Sequence, residues 1–138
     1  MPNYFTTIRS DVPAPVRATR GAAGWDLRAA VDARVEPQDW TLVPTGYGVR
    51  VPAGYVGLVC PRSGLAVHHG LTVLNSPGVI DPDYEGELQV ILANHSAYPV
   101  DIGEGDRIAQ LLIVPSLDAG APATGVRRGI AGFGSTGR

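Results

Sequence analysis

Gly78-Val-Ile-Asp-Pro-Asp-Tyr-Glu-Gly-Glu-Leu-Gln-Val-Ile-Leu92 is the stretch that decides the fold. Its first nine residues set Gly, Pro and two Asp between apolar neighbours, which is the make-up of a long β-hairpin loop. Its last five, Leu88 to Leu92, are apolar almost throughout. Such a short run predicts a strand buried on both faces. Within the loop, Asp81 and Asp83 read first as turn formers, because Asp side chains bond their own backbone in turns. A second reading gives Asp81 chemistry, as a base toward water or as a metal ligand.

The same punctuation extends outward in both directions. The chain has 18 Gly and 12 Pro, and they break it into short apolar runs at 40–43, 47–51, 54–60, 71–74, 88–93 and 108–114. Short strands with frequent turn signals predict an all-β sandwich or barrel. One segment reads as helical: Ser63-Gly-Leu-Ala-Val-His-His69, capped by Ser63 and stopped at Gly70. The last residues differ. A linker, Ala119-Gly-Ala-Pro-Ala-Thr-Gly125, leads into a glycine-rich stretch, so residues 1–118 read as one β domain and 119–138 as linker and mobile tail. Simple disorder is one account of that tail. The paired Arg127 and Arg128 and the lone aromatic Phe133 support another, since guanidiniums hold phosphates and a ring covers a flat base.

Composition narrows the classes of function. At 138 residues, 44% hydrophobic and 17% charged, the chain is sized for one folded domain. A deep site built by a single copy would be difficult at this size, so an oligomer is already plausible. The formal net charge of −2 argues against nucleic-acid and membrane partners, which select basic surfaces. All 11 Lys-or-Arg positions are Arg. Codon bias accounts for the count, but the absence of Lys rules out a P-loop lysine and a Schiff base. Cys60 is the only cysteine, so no internal disulfide forms, and a reducing cytoplasm is the expected setting. The first residues show no signal peptide and no membrane span.

Local constellations are individually weak. Arg62-Ser63-Gly64 stands at the start of the helix, where backbone N–H groups and the dipole favour an anion; taken alone, an ordinary cap beside a surface Arg is the commoner reading. His68 and His69 are adjacent on a helix and face different ways, so they make a poor metal pair. Asp26, after Gly24-Trp25, is a turn residue or a ligand.

Their order is informative. Ala23-Gly-Trp-Asp-Leu27, Pro61-Arg-Ser-Gly-Leu65, Asn75-Ser-Pro-Gly-Val-Ile-Asp-Pro-Asp-Tyr-Glu-Gly86, Gly105-Asp-Arg-Ile-Ala-Gln-Leu111 and Arg128-Gly-Ile-Ala-Gly-Phe-Gly-Ser-Thr-Gly137 resemble, in order, the five motifs of the trimeric dUTP pyrophosphatases. Trp25 departs from that pattern, where Tyr or a smaller residue is usual. The resemblance implies a jelly-roll β fold with one short helix and a flexible C-terminal tail, a homotrimer, and active sites shared between subunits. It implies hydrolysis of dUTP to dUMP and pyrophosphate, which supplies dUMP for thymidylate synthesis and keeps uracil out of DNA.

It also assigns roles. Asp81 would orient and deprotonate the attacking water. Asn75, Gly78 and Tyr84 would receive uracil and deoxyribose. Arg62, Ser63, Gly64 and Gln110 would hold the triphosphate. Arg128, Phe133, Gly134 and Ser135, on a tail from another chain, would close over it. Asp26 would anchor the hydration shell of a Mg²⁺ held mainly by phosphate oxygens. The dCTP deaminases resemble the chain around Ile80-Asp81, but they need a Glu where Ile91 stands.

Overall fold

The computed structural model describes residues 3–9, 11–117 and 129–134. Ten strands and one helix follow in the order β1 (Phe5–Thr7), β2 (Trp25–Arg28), β3 (Ala33–Val35), β4 (Trp40–Val49), β5 (Tyr55–Cys60), α1 (Ser63–His69), β6 (Leu71–Val73), β7 (Gly78–Ile80), β8 (Glu87–Asn94), β9 (Val100–Ile102) and β10 (Arg107–Pro115). One four-stranded sheet runs β1-β4-β8-β6, a second runs β2-β10-β5-β7, and β3 pairs with β9. Every ladder is antiparallel. The inner faces of the two larger sheets meet in one core, with Val43, Leu88, Val90 and Leu92 from the first and Leu27, Val59 and Leu111 from the second. This is the all-β architecture the apolar runs predict, in the jelly-roll-like form the resemblance implies.

Three details differ from the sequence reading. The runs 40–43 and 47–51 join through Pro44 into the single strand β4. Pro44 is tolerated because its carbonyl accepts from the Ala30 N–H at 2.8 Å, so its polar edge faces away from β8 and no ladder donor is missed. The strand β8 is not buried on both faces: Leu88, Val90 and Leu92 are buried, whereas Gln89 and Ile91 on the outer face are half-buried. Finally, Ser63 is not the helix cap. Arg62 holds that position in extended conformation with no side-chain cap bond, and Ser63 is the first helical residue. The helix does end as expected, on Gly70 at φ 65°, a left-handed turn that suits glycine.

The pairing of β4 with β8 carries one built-in irregularity. Pro44 faces Gln89 and Gly48 faces Glu87, so the register shifts between them. Thr45, 1% exposed, fills the gap: its hydroxyl donates to the Leu88 carbonyl at 2.7 Å. Here a side chain stands in for a backbone donor, in the interior, beside the strand that leads out of the 78–86 loop. Thr45→Val keeps the shape and leaves that carbonyl without its donor. The expected loss is about 1–3 kcal/mol of stability, the cost of one unsatisfied buried acceptor. Urea unfolding of Thr45→Val beside Thr45→Ser measures it, with the Ser variant close to the parent.

Candidate active site

The loop after β7 is held as a turn by its own backbone. The Tyr84 N–H donates to the Asp81 carbonyl at 3.1 Å, and the Tyr84 hydroxyl donates to the Glu87 carbonyl at 2.7 Å. The Tyr84 ring lies across Gly86: a Cβ added there would stand 2.7 Å from its Cζ. Only glycine permits this approach, so the sequence Tyr84-Glu-Gly86 locks the ring in place. Asp81 is half-buried in the same loop, and its carbonyl takes part in the turn.

Beside this loop is a cleft of about 200 Å³, lined by Asn75, Gly78, Ile80 and Tyr84 over a floor of Val59 and Val73. β7 forms one wall, with Gly78 paired to Val59 of β5. A Cβ on Gly78 would meet the Asn75 amide nitrogen and Val59 at 3.3 Å, so glycine keeps the backbone accessible and the Asn75 amide close to it. The Ser76–Pro77 peptide between them is cis.

Gly132, Phe133 and Gly134 also line this cleft, beside Glu87 and Gln89 of β8. They arrive through a parallel bridge between Gly129 and Tyr84, in which the Glu85 N–H donates to the Gly129 carbonyl at 2.6 Å. The structure contains one chain, so this hairpin and this tail belong to the same copy, whereas the sequence reading has the tail come from another. A single chain offers its tail only its own hairpin. Phe133 is 64% exposed and has φ 47°, an uncommon backbone for a bulky residue, and Gly134 follows at φ 93°. Arg128 and Ser135 lie outside the described residues.

A second cleft, of about 270 Å³, gathers Asp26, Arg62, Ser63, Gly64 and Gln110. The sheet brings them together. Gln110 on β10 is paired with Asp26 of β2 on one side and with Cys60 of β5 on the other. The chain leaves β5 through Pro61, whose carbonyl accepts from the Gln110 amide at 2.9 Å, and enters α1 at Arg62. Gly24 lies opposite, and a Cβ there would stand 2.8 Å from Gln110 Oε1 and push that amide aside.

Charge in this cleft is concentrated on three groups. The Asp26 carboxylate, 12% exposed, has Arg62 Nε 3.4 Å from one oxygen and Arg107 Nη1 3.4 Å from the other. Two guanidiniums against one carboxylate leave a net positive charge for an anion. Arg107 is the charged residue the motif reading missed, although it stands inside the fourth motif. Trp25 does not line this cleft. It packs edge-on against Tyr4 and Phe5, at 5.9 and 6.1 Å between ring centres, with Arg17 over its face. Its departure from the motif therefore tethers the N-terminal strand and leaves the cleft unchanged. Burial pushes the Cys60 thiol up, so it stays protonated near neutrality and makes a poor nucleophile.

No group of three or more His, Cys, Asp and Glu that could hold a metal occurs among the described residues. A metal here would need most of its ligands from elsewhere. Asp26 fits an outer role, because each of its oxygens receives one long guanidinium contact and keeps a second lone pair for a water. No helix among the described residues is long and apolar enough to cross a membrane.

The two clefts share no lining residue, and neither lining includes Asp81. The structure thus gathers Asn75, Gly78, Tyr84, Phe133 and Gly134 at one place and Asp26, Arg62, Ser63, Gly64 and Gln110 at another.

Known proteins resemble this chain in sequence and in fold. A deoxyuridine 5'-triphosphate nucleotidohydrolase of Desulfotalea psychrophila is 49% identical over 129 residues, covering 89% of this chain and 86% of its own. Among solved structures, a variant dUTPase of Staphylococcus bacteriophage 80alpha with dUpNHpp superposes with a TM-score of 0.79 at 26% identity, covering 97% of each chain. A variant dUTPase of the S. aureus phage phi11, whose structure concerns the coordination of a structural Mg(II) ion, reaches 0.78 at 26% identity over 88% of this chain and 95% of its own. Residues 10–137 match the dUTPase family model, and the chain belongs to the dUTPase family.

Proposed function

We propose that this chain hydrolyses dUTP to dUMP and pyrophosphate in the cytoplasm, as a homotrimer with active sites between copies. The observation that carries this reading is the division of the motif residues into two clefts of different chemistry. One is small, partly apolar and edged by backbone and an amide, as a base requires. The other offers guanidiniums, a hydroxyl and an amide, as a triphosphate requires. Because the two share no wall, a neighbouring copy facing the hairpin supports a complete site. The outer face of the β4–β8 sheet favours such packing: Trp40 and Leu42 are 56% and 43% exposed, and Leu42 is paired with the half-buried Ile91.

The roles proposed are those that the five motifs imply. Asn75 and the backbone at Gly78 recognise uracil, which presents O4 as acceptor and N3–H as donor. Cytosine reverses that edge and would leave buried groups unpaired, a mismatch worth a discrimination of roughly 10⁴. The pinned Tyr84 ring lies under the deoxyribose and leaves no room for a 2′-hydroxyl. Arg62, Ser63, Gly64 and Gln110 hold the phosphates, and Asp81 takes a proton from the water that attacks the α-phosphorus. Asp26 would hold the hydration shell of a Mg²⁺ brought by the substrate phosphates, and that ion would supply positive charge for the leaving pyrophosphate. Phe133 and Gly134 cover the base, while Arg128 and Ser135 reach the outer phosphates, so closing the tail excludes bulk water. In a trimer each copy presents an equivalent hairpin, so the Gly129 bridge to Glu85 can form on a neighbour as well.

Three measurements test this reading. Pyrophosphate release with Mg²⁺ across dUTP, dCTP, dTTP and UTP should be appreciable for dUTP alone; ammonia release from dCTP would instead mean a deaminase. Asp81→Asn should bind dUTP nearly as the parent does and turn over more slowly by roughly 10²–10⁴-fold, the usual contribution of a general base. An unchanged rate would remove Asp81 from the mechanism. Deleting residues 127–138 should leave a folded trimer by light scattering, with turnover reduced about 100-fold or more, the scale of losing a charge-stabilising group. Full activity in the shortened chain would end the lid assignment.

A further inference from the structure

Arg107 has no role in the reading above, yet the backbone is bent to present it. It opens β10, where the ladder with β2 is irregular: Arg107 pairs with Arg28, but Ala109 pairs with Leu27. A regular strand would point residues 107, 109 and 111 to one face. The extra residue breaks this alternation, so Ile108 and Ala109 are both buried while Arg107 and Gln110 both turn outward. Bulges of this kind re-aim side chains beside functional sites. Here the result is that Arg107 joins Gln110 on the side of Asp26, with Nη1 3.4 Å from Asp26 Oδ2.

The carboxylate it meets is a costly one to leave alone. Asp26 is 12% exposed, and a charge so far removed from water needs a partner. Arg62 is one partner, at 3.4 Å, and also donates from Nη1 to the Arg107 carbonyl at 3.3 Å. Both Arg62 contacts are long, and a phosphate would draw that guanidinium away from them. Were Arg62 the sole partner, its departure would strand Asp26.

We propose that Arg107 is a positioning residue for triphosphate binding: it holds Asp26 so that Arg62 can leave the carboxylate and engage the phosphates. The proposal rests on the dUTP reading. It concerns the phosphate end alone, so it separates triphosphate from monophosphate. Because Arg107 is 44% exposed, its contact with Asp26 is screened and the effect is modest.

The test is calorimetric binding of dUpNHpp and of dUMP to the full-length protein with Mg²⁺. Arg107→Gln should weaken dUpNHpp about tenfold, the scale of one charge-assisted contact, and leave dUMP within about twofold. Arg107→Lys, which keeps the charge, should restore most of the loss. In an Asp26→Asn background, Arg107→Gln should change dUpNHpp binding by less than about twofold, since coupled residues do not add. A full tenfold loss in that background would mean that Arg107 acts on phosphate directly and would overturn the proposal. Equal weakening of dUMP would overturn it too, by showing a general structural role. If the parent protein itself binds dUpNHpp no better than dUMP, the dUTP reading fails first, and the proposal with it.

Discussion

The register of β10 between β2 and β5 is the constraint on which the cationic cleft depends. Gln110 is bonded into both ladders at once, facing Asp26 on one side and Cys60 on the other. A slip of one residue in either ladder would move every side chain on that strand to the opposite face. Asp26 would then enter the core, and the chain leaving Cys60 would no longer deliver Arg62 beside it. What prevents the slip is the apolar inner face, where Leu27, Ala109 and Leu111 are fully buried. The same burial that stabilises the sandwich therefore positions its most polar groups.

The hairpin side obeys a different rule. Its cleft is shaped less by what side chains fill than by where they are missing. Gly78 lets backbone and the Asn75 amide face the opening, and Gly86 and Gly132 make room for the Tyr84 ring. Tyr84 also donates a hydrogen bond to the Glu87 carbonyl, at the root of β8. A rigid ring on a glycine bed is a strong basis for steric selection, because neither the ring nor the backbone beneath it can give way cheaply. Rigidity here meets the exposed Phe133 opposite, on a tail attached through a short backbone bridge.

Neither cleft alone is sufficient for catalysis on a nucleotide. One carries the shape for a base and the other the charge for phosphates, in a chain whose size permits only one core. Association between copies is a physical answer to that limit, and the half-buried outer face of β8 is in keeping with it.

Much of this was legible in the amino-acid sequence. The apolar runs marked the long strands, Gly70 marked the end of the helix, and the ordered motifs marked the residues of both clefts. These features depend on local spacing and on residue type, which a sequence displays directly. Other features needed the fold. Nothing in the sequence singles out Arg107; the bulge at Ile108 turns it toward Asp26, and a bulge is a relation between two strands that neither one encodes alone. The very short strands β1, β3 and β9 carry too few residues to show a period, and each forms only by pairing with a segment distant in the chain, β1 on the edge of β4 and β3 with β9. Ser63 gave up the cap to Arg62 because the chain reaches the helix from β5 in an extended path set by the sheet. Residue identity by itself determined the chemistry available to this protein; tertiary structure decided which groups meet, because register, bulges and burial act between segments distant in the chain.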